Sequence, residues 1–168
     1  MISAIVYTSN AGHTKRYAEM LADKTGLPVF ELKAAGSKLE KGAQIVYLGW
    51  LMGGNVKGFK KAAKSFDVKA VCGVGMSASD GQIEYIRKAN SFPEALPVFA
   101  LRGGLEVGKL SGMYKMMMGV VQKAAKKGAE NDKGKNPEAD EMLELMLNGG
   151  DLVTEDDLSG IAEFIAEA

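Results

Sequence analysis

The sequence predicts an α/β protein built on a doubly wound, five-stranded parallel sheet with helices on both faces. Two observations and one rule of chain connection support this prediction. Short apolar runs alternate with segments of helical periodicity from the N-terminus to Leu101, as in repeated strand–helix units. The run at residues 44–48 is almost wholly apolar, as expected of a strand covered on both faces. Right-handed crossovers between parallel strands then restrict the topology to a doubly wound sheet.

Each predicted strand is a short apolar run that ends in small or turn-forming residues. The five strands are predicted at residues 2–7, 29–32, 44–48, 70–74 and 97–101. Apolar residues at helical spacing predict the intervening helices, at residues 14–25, 55–64 and 80–90. Asp80 is the expected N-cap of the third of these helices, because its carboxylate can accept a hydrogen bond from the first turn.

The alternation of strands and helices changes after Leu101. The segments that follow are a predicted long helix at residues 109–127, a polar loop at 126–136, and helices at 137–147 and 154–166. Asn136 is the expected N-cap of the helix at 137–147, and Thr154 begins a stretch, TEDD, that resembles a capping box. We expect a single domain over residues 1–168, with residues 103–150 forming an insertion between the last strand and the last helix.

Composition argues against several classes of function. Lys plus Arg and Asp plus Glu both number 21, so no net charge favours binding to nucleic acid. No apolar run approaches the roughly 18 residues of a membrane-spanning helix, and the N-terminus lacks the pattern of a signal peptide. One histidine and one cysteine favour neither a metal site nor an intrachain disulfide. We therefore expect a cytoplasmic protein in which Cys72 is a buried apolar side chain.

The turn after the first predicted strand is the first candidate binding site. It consists of Thr8, Ser9, Asn10, Ala11, Gly12, His13 and Thr14. Backbone N–H groups at a helix N-terminus lack intrahelical partners and favour anions such as phosphate. The hydroxyl and amide side chains add donors, but the turn has no lysine and matches neither GxxxxGK[ST] nor GxGxxG. This chemistry suits a phosphate monoester held by neutral donors, as in FMN; the alternative is an ordinary capped turn.

Three further loops at the carboxyl ends of strands contain candidate site residues. They are Trp50, Leu51, Met52, Gly53, Gly54 and Asn55 after the third strand; Met76, Ser77, Ala78 and Asp80 after the fourth; and Arg102 after the fifth. Ligands of doubly wound sheets bind outside these strand ends, at the point where the strand order reverses. Trp50 is the only tryptophan, and its flat apolar surface could stack against a ring system. The alternative is that Trp50 is an ordinary core or surface aromatic residue.

The first turn resembles the phosphate loop of flavodoxins, whose pattern is roughly T/S-x-T/S/N-x-G-x-T at the end of the first strand. The match covers Thr8, Asn10, Gly12 and Thr14, and the order of elements extends the resemblance over the whole chain. The stretch LRGGL at residues 101–105, followed by a helix rich in Met and Lys, is similar to flavodoxin-domain proteins related to menaquinone-dependent protoporphyrinogen oxidase.

This resemblance implies a flavodoxin-like fold with strand order 2-1-3-4-5, a helical insertion after strand five, and FMN as cofactor. It implies that residues 8–14 surround the phosphate, that residues 50–55 lie against one face of the flavin, and that residues 76–80 approach its other side. Arg102 would reach toward the pyrimidine edge or a partner. No catalytic side chain is implied, because the flavin supplies the redox chemistry. His13 is expected to be a solvent-exposed turn residue; the alternative is a pH-sensitive charge near the phosphate.

The predicted function is that of an FMN-binding protein that carries electrons or acts as a small flavin oxidoreductase. One alternative is a protoporphyrinogen-oxidase-like enzyme that uses a quinone, and another is a flavin-free binding module of the same fold. The expected partner is a redox protein or a small-molecule acceptor such as a quinone. The Met-rich segment at residues 113–118 is compatible with core packing, with a partner surface, or with peripheral membrane contact.

Overall fold

A computed structural model of the chain describes residues 1–106, 116, 119, 120, 123, 127 and 137–168. Contacts within the chain define two compact units. The first consists of Met1–Gly103 and Val153–Ala168, and the second is Gly104–Leu152. Several predicted segments lie outside the described residues: the helix at 109–127, the loop at 126–136 with its cap at Asn136, and the Met-rich segment at 113–118. Within these segments the structure describes only positions 116, 119, 120, 123 and 127, which are helical.

A parallel sheet forms the centre of the first unit. Its strands are β1 (Ala4–Thr8), β2 (Val29–Glu31), β3 (Gln44–Met52), β4 (Asn55–Val56), β5 (Asp67–Gly75) and β6 (Val98–Arg102). The order is β2-β1-β3-β5-β6 with all neighbours parallel, and β4 pairs antiparallel with the end of β3. Leaving out the short β4, this is the predicted order 2-1-3-4-5. The predicted fold class is therefore confirmed.

Helices cover both faces of this sheet. In the first unit they are α1 (His13–Thr25), α2 (Leu32–Ala35), α3 (Phe59–Ser65) and α4 (Asp80–Asn90). The second unit contains α5 (Pro137–Asn148) and an antiparallel pair of two-residue strands, β7 (Gly104–Leu105) and β8 (Gly150–Asp151). The chain ends, in the first unit, with a 3-10 turn at Glu155–Leu158 and helix α6 (Ser159–Glu167). None of the helices in the described part of the chain is long and apolar enough to cross a membrane.

Alternate side chains of the strands build two apolar layers. Ile5, Leu48 and Cys72 face one layer, together with residues of α1 and α6. Val6 and Tyr47 face the other, together with residues of α2, α3 and α4. Cys72 is completely buried, and burial raises the pKa of its thiol. This confirms Cys72 as a buried apolar side chain, because only the thiolate is reactive.

Two predicted helix starts are wrong. The helix predicted at residues 55–64 begins only at Phe59, because Asn55–Val56 turn back on β3 and Gly58 has a φ of +82°. Asp80 is the first residue of α4 and not its cap. Ser79 has the extended backbone of an N-cap, and its hydroxyl accepts the Gln82 N–H at 3.4 Å.

The last predicted helix is confirmed in position but begins as a 3-10 turn. Thr154 does cap this turn, because its hydroxyl accepts the Asp156 N–H at 3.3 Å. The reciprocal half of a capping box is absent from the described contacts of Asp157. Its carboxylate instead binds Arg102 and Tyr17, so a tertiary contact replaces the local one.

Candidate functional site

The turn between β1 and α1 is closed by its own backbone and one serine. Thr8 is the last residue of β1, and the Ser9 hydroxyl accepts the Gly12 N–H at 3.1 Å. Gly12 is the N-cap of α1 with a φ of +100°, a conformation that favours glycine. Its carbonyl accepts the Arg16 N–H at 3.0 Å, which starts the helix. The first N–H groups of α1 lack partners within the helix, as at the start of any α-helix.

Thr14 gives this turn the chemistry of an anion site. The residue is only 1% exposed, and it is the second residue of α1. A threonine hydroxyl carries one proton that it can donate to an anion. No acidic residue lies in the first turn of α1, so nothing there repels a negative ligand. A phosphate monoester fits this donor set.

Tyr47 supports the turn from the neighbouring strand, and sequence reasoning missed it. The side chain is fully buried, and its Oη lies 2.8 Å from Thr8 Oγ1 and 2.7 Å from the Lys57 carbonyl oxygen. Because a carbonyl can only accept, the Tyr47 hydroxyl donates to Lys57 and the Thr8 hydroxyl donates to Tyr47. Burial raises the pKa of Tyr47 to about 12, so this hydroxyl keeps its proton at neutral pH. The only signal in the sequence is a tyrosine within an otherwise apolar strand.

Trp50 lies beside this turn in the sheet. Thr8 pairs with Gly49 in β3, so Trp50 is the first residue of β3 beyond the end of β1. Trp50 itself pairs with Val74 in β5 and is half-buried. Lys57 N–H donates to the Trp50 carbonyl at 3.0 Å, and Lys57 Nζ lies 5.7 Å from the centre of the indole ring. Trp50 thus lies within β3, near its carboxyl end, and the prediction that it belongs to a loop after this strand is wrong.

The segment after Trp50 is a β-hairpin and not a loop. β3 continues through Leu51 and Met52, and Met52 pairs with Asn55 across a two-residue turn. That turn consists of Gly53 and Gly54, with φ values of +57° and +76°. Positive φ at both central positions is the pattern of a type I′ turn, which matches the twist of the two strands. Gly53 and Asn55 are exposed, whereas Gly54 is buried.

The loop after β5 is held by its own serines. The Ser77 and Ser79 hydroxyl oxygens lie 3.0 Å apart, and the Ser79 N–H donates to Ser77 Oγ at 3.2 Å. Ser77 is buried, while Ala78 and Asp80 are exposed and Met76 is half-buried. Of these four predicted site residues, Ala78 and Asp80 are thus the ones whose side chains are open to solvent.

Arg102 is engaged by the C-terminal segment. Its guanidinium lies 3.2 Å from Asp157 Oδ1, and its backbone N–H donates to Asp157 Oδ2, also at 3.2 Å. Tyr17 Oη lies 2.6 Å from the Arg102 carbonyl and 3.0 Å from Asp157 Oδ2, and it accepts the Thr154 N–H at 3.3 Å. This cluster fastens the 3-10 turn to the end of β6. The predicted role of Arg102 toward a ligand stays a prediction.

The expectation that His13 is solvent-exposed is wrong. His13 is the first residue of α1 and is 8% exposed. It lies against Gly103, where a Cβ would come within 3.3 Å of His13 Cβ. The Gly103 N–H in turn donates to the Gly75 carbonyl at 2.6 Å, which draws this backbone close to β5. A side chain at Gly103 would meet Val74 Cγ1 first, at 2.8 Å, and would also crowd His13.

The sheet brings the four segments that contain the predicted site residues to one edge. Thr8 pairs with Gly49, Trp50 with Val74, and Gly75 with Arg102, so the carboxyl ends of β1, β3, β5 and β6 lie side by side. All of the predicted site residues belong to the first compact unit. Over the described ranges, there is no group of three or more His, Cys, Asp or Glu side chains that could hold a metal ion.

A family model described as a flavodoxin domain matches residues 4–132. A search of curated proteins gave no match. Among solved structures, the chain is similar to a flavodoxin, WrbA-like protein from Agrobacterium tumefaciens, at 22% identity over 52% of this chain and 68% of that one, with a TM-score of 0.36. Since the family model spans more than half of the sequence, including β1 and the turn that follows it, the chain belongs to the flavodoxin-domain family.

Proposed function

We propose that the protein binds FMN and acts as an electron carrier or as a small flavin oxidoreductase. The observation that carries this proposal is the β1–α1 turn, which combines hydroxyl side chains with the N–H groups at the start of α1 and has no acidic residue in the first turn of the helix. Membership of the flavodoxin-domain family supports a flavin as the ligand in general. The phosphate chemistry of the turn favours FMN over flavins without a terminal phosphate monoester.

The residues of the β1–α1 turn would hold the phosphate. Backbone N–H groups at the start of α1 and the Thr14 hydroxyl are donors, and Asn10 is exposed at the tip of the turn. The Thr8 hydroxyl contributes to the phosphate only if Tyr47 donates to Thr8 instead of to Lys57, because each hydroxyl has one proton. Thr14 is therefore the strongest side-chain candidate.

Trp50 and the hairpin after it would form an apolar wall for the ring. Lys57 adds a positive charge beside this wall, since its ammonium group lies above the indole. FMN supplies the redox chemistry when it is bound, and the protein binds and orients it. The electron acceptor or donor is a redox protein or a small molecule such as a quinone, and the cytoplasm remains the predicted location.

The experiment that tests this function is a flavin titration of the purified protein. The chain has a single tryptophan, so quenching of its fluorescence on addition of FMN reports on Trp50 alone. We expect saturable quenching at one FMN per chain, flavin absorbance that co-purifies with the protein, and release of FMN rather than FAD on heating. A colourless protein that does not bind added FMN would instead indicate the flavin-free module. Oxidation of protoporphyrinogen by the FMN-loaded protein with a quinone would indicate the oxidase-like alternative.

A further inference from the structure

The hairpin that follows Trp50 is bonded on its outer side to a single side chain. Asn90, the last residue of α4, accepts the Val56 N–H on Oδ1 at 3.0 Å. Its Nδ2 donates to the Gly54 carbonyl at 2.9 Å and to the Ile86 carbonyl at 2.8 Å. The Asn90 carboxamide has to turn its oxygen toward one N–H donor and its NH₂ group toward two carbonyl acceptors. Only one orientation of the carboxamide does this, so these partners fix the side chain.

The hairpin needs such support because it is very short. β4 has two residues, and its ladder with β3 consists of Leu51–Val56 and Met52–Asn55, followed by the bond from the Lys57 N–H to the Trp50 carbonyl. Isolated two-stranded hairpins are marginally stable in water. The Asn90 carboxamide bonds the N–H of Val56 and the carbonyl of Gly54, which lie two residues apart on the side of the hairpin that faces away from β3. It thus makes the hydrogen bonds that a neighbouring strand would make.

The end of α4 also fits the shape of the turn. A Cβ on Gly54 would come within 2.8 Å of the Tyr85 ring and 2.9 Å of Ala89 Cβ. The backbone of Gly54 therefore rests directly on the helix. Tyr85 is 51% exposed, so one side of its ring covers Gly54 while another faces solvent.

Asn90 therefore controls the position of the hairpin relative to the indole, and we infer that it is a positioning residue for the flavin ring. This inference rests on the proposed function. Lys57, next to Val56, is held separately, because its N–H donates to the Trp50 carbonyl and its carbonyl accepts from Tyr47. Loss of Asn90 should therefore loosen residues 51–56 without displacing the phosphate turn, which lies beyond Tyr47.

The test compares FMN with riboflavin, which has the same ring but no phosphate. Asn90→Ala removes all three hydrogen bonds, whereas Asn90→Asp keeps an acceptor for the Val56 N–H but places charge against the Gly54 carbonyl. Both variants should bind FMN and riboflavin about five- to thirtyfold more weakly, by the same factor for the two ligands. Lys88→Ala, an exposed change on the same helix that breaks only a 3.5 Å ion pair with Glu84, should leave both affinities unchanged.

Two results would overturn the inference. Unchanged affinity for both ligands would show that the hairpin does not depend on Asn90. Weaker binding of FMN alone would show that Asn90 acts through the phosphate. If the wild-type chain binds no flavin, the proposed function fails but Asn90 can still be tested by amide hydrogen exchange. The Val56 N–H should then exchange at least about tenfold faster in Asn90→Ala than in the wild type, and equal rates would contradict the role of Asn90.

Discussion

Gly58 leaves the space that the Tyr47 hydroxyl fills. A Cβ on Gly58 would overlap with Tyr47 Oη and come within 2.6 Å of Thr8 Oγ1. Gly58 lies in the link before α3, Tyr47 in the middle of β3, and Thr8 at the end of β1. A glycine in a partly buried connection is therefore part of the support of the phosphate turn.

Gly58→Ala should destabilise the fold far more than Gly42→Ala. The two glycines have nearly equal φ values, +82° and +83°, but a Cβ on Gly42 meets nothing within 4 Å. Strain of the backbone alone costs roughly 1–2 kcal/mol, and we expect this loss for Gly42→Ala. Overlap with Tyr47 should add at least about 1–3 kcal/mol for Gly58→Ala. Urea unfolding of the full chain measures both, and equal losses would contradict the predicted overlap.

Tyr47→Phe should destabilise the chain. It should also reduce the loss of folding stability that the wild type shows at alkaline pH. The change leaves the Lys57 carbonyl without its donor, which costs about 1–3 kcal/mol. The folded state raises the pKa of Tyr47 from about 10 to about 12, so it binds the phenolic proton more tightly than the unfolded state does. Stability from the neutral Tyr47 is therefore full below about pH 10 and is lost as pH rises toward 12.

The check for Tyr47 is unfolding by urea at pH 8 and at pH 11. The wild type should lose more stability than Tyr47→Phe over this interval, by up to about 1.4 kcal/mol per pH unit above pH 10. Burial also raises the pKa of Tyr17, so some loss should remain in the variant. An identical loss in both proteins would contradict the assigned burial of Tyr47.

Asp157→Asn should cost more stability than Glu155→Gln, although both remove one charge from the same 3-10 turn. The Asp157 side chain is 11% exposed and is bonded to Arg102 and Tyr17, whereas Glu155 is 65% exposed and pairs with Lys24 at 3.2 Å. Hydrogen bonds to a charged group contribute about 1.5–3 kcal/mol, and exposed ion pairs about 0–1 kcal/mol. Thermal or urea unfolding should rank the two variants in this order. A larger loss for Glu155→Gln would show that the cluster around Asp157 does not fasten the C-terminal segment.

Thr14→Val should weaken FMN binding and leave riboflavin binding unchanged. The substitution keeps the shape of the side chain but removes its hydroxyl, which costs about 0.5–1.5 kcal/mol for a neutral hydrogen bond and more for a bond to a charged phosphate. This corresponds to a loss of about threefold to tenfold or more in FMN affinity. Thr25→Val, in the last turn of the same helix, removes a bond to the Leu21 carbonyl and should leave FMN affinity unchanged. If riboflavin binding falls in parallel with FMN binding, Thr14 does not act on the phosphate.

The strands and the longer helices could be predicted from the sequence because their apolar patterns are local. The helices at residues 14–25 and 80–90 differ from α1 and α4 by one residue at most. The start of α3 was predicted wrongly because the lysine- and alanine-rich stretch after Asn55 has helical character, while the pairing of β4 depends on its contact with β3. The two glycines before Asn55 are the local signal from which this hairpin could have been predicted.

Tertiary contacts account for the parts of the site that the sequence did not predict. His13 is buried and lies beside Gly103, which follows β6 and is far from it in sequence. Tyr47 and Asn90 reach the site from a strand interior and a helix end, and their partners lie 39 and 34–36 residues away in sequence. Neither belongs to a motif that a single sequence reveals. The residues of the β1–α1 turn were predictable because they are consecutive and share one kind of chemistry.

The central claim is that the β1–α1 turn holds a phosphate monoester through uncharged donors. The most direct measurement is the dissociation constant of the wild-type protein for FMN and for riboflavin, in the same buffer and by quenching of Trp50. Several hydrogen bonds to a charged phosphate predict that FMN binds at least about tenfold more tightly than riboflavin. Equal affinities for the two ligands would contradict the claim.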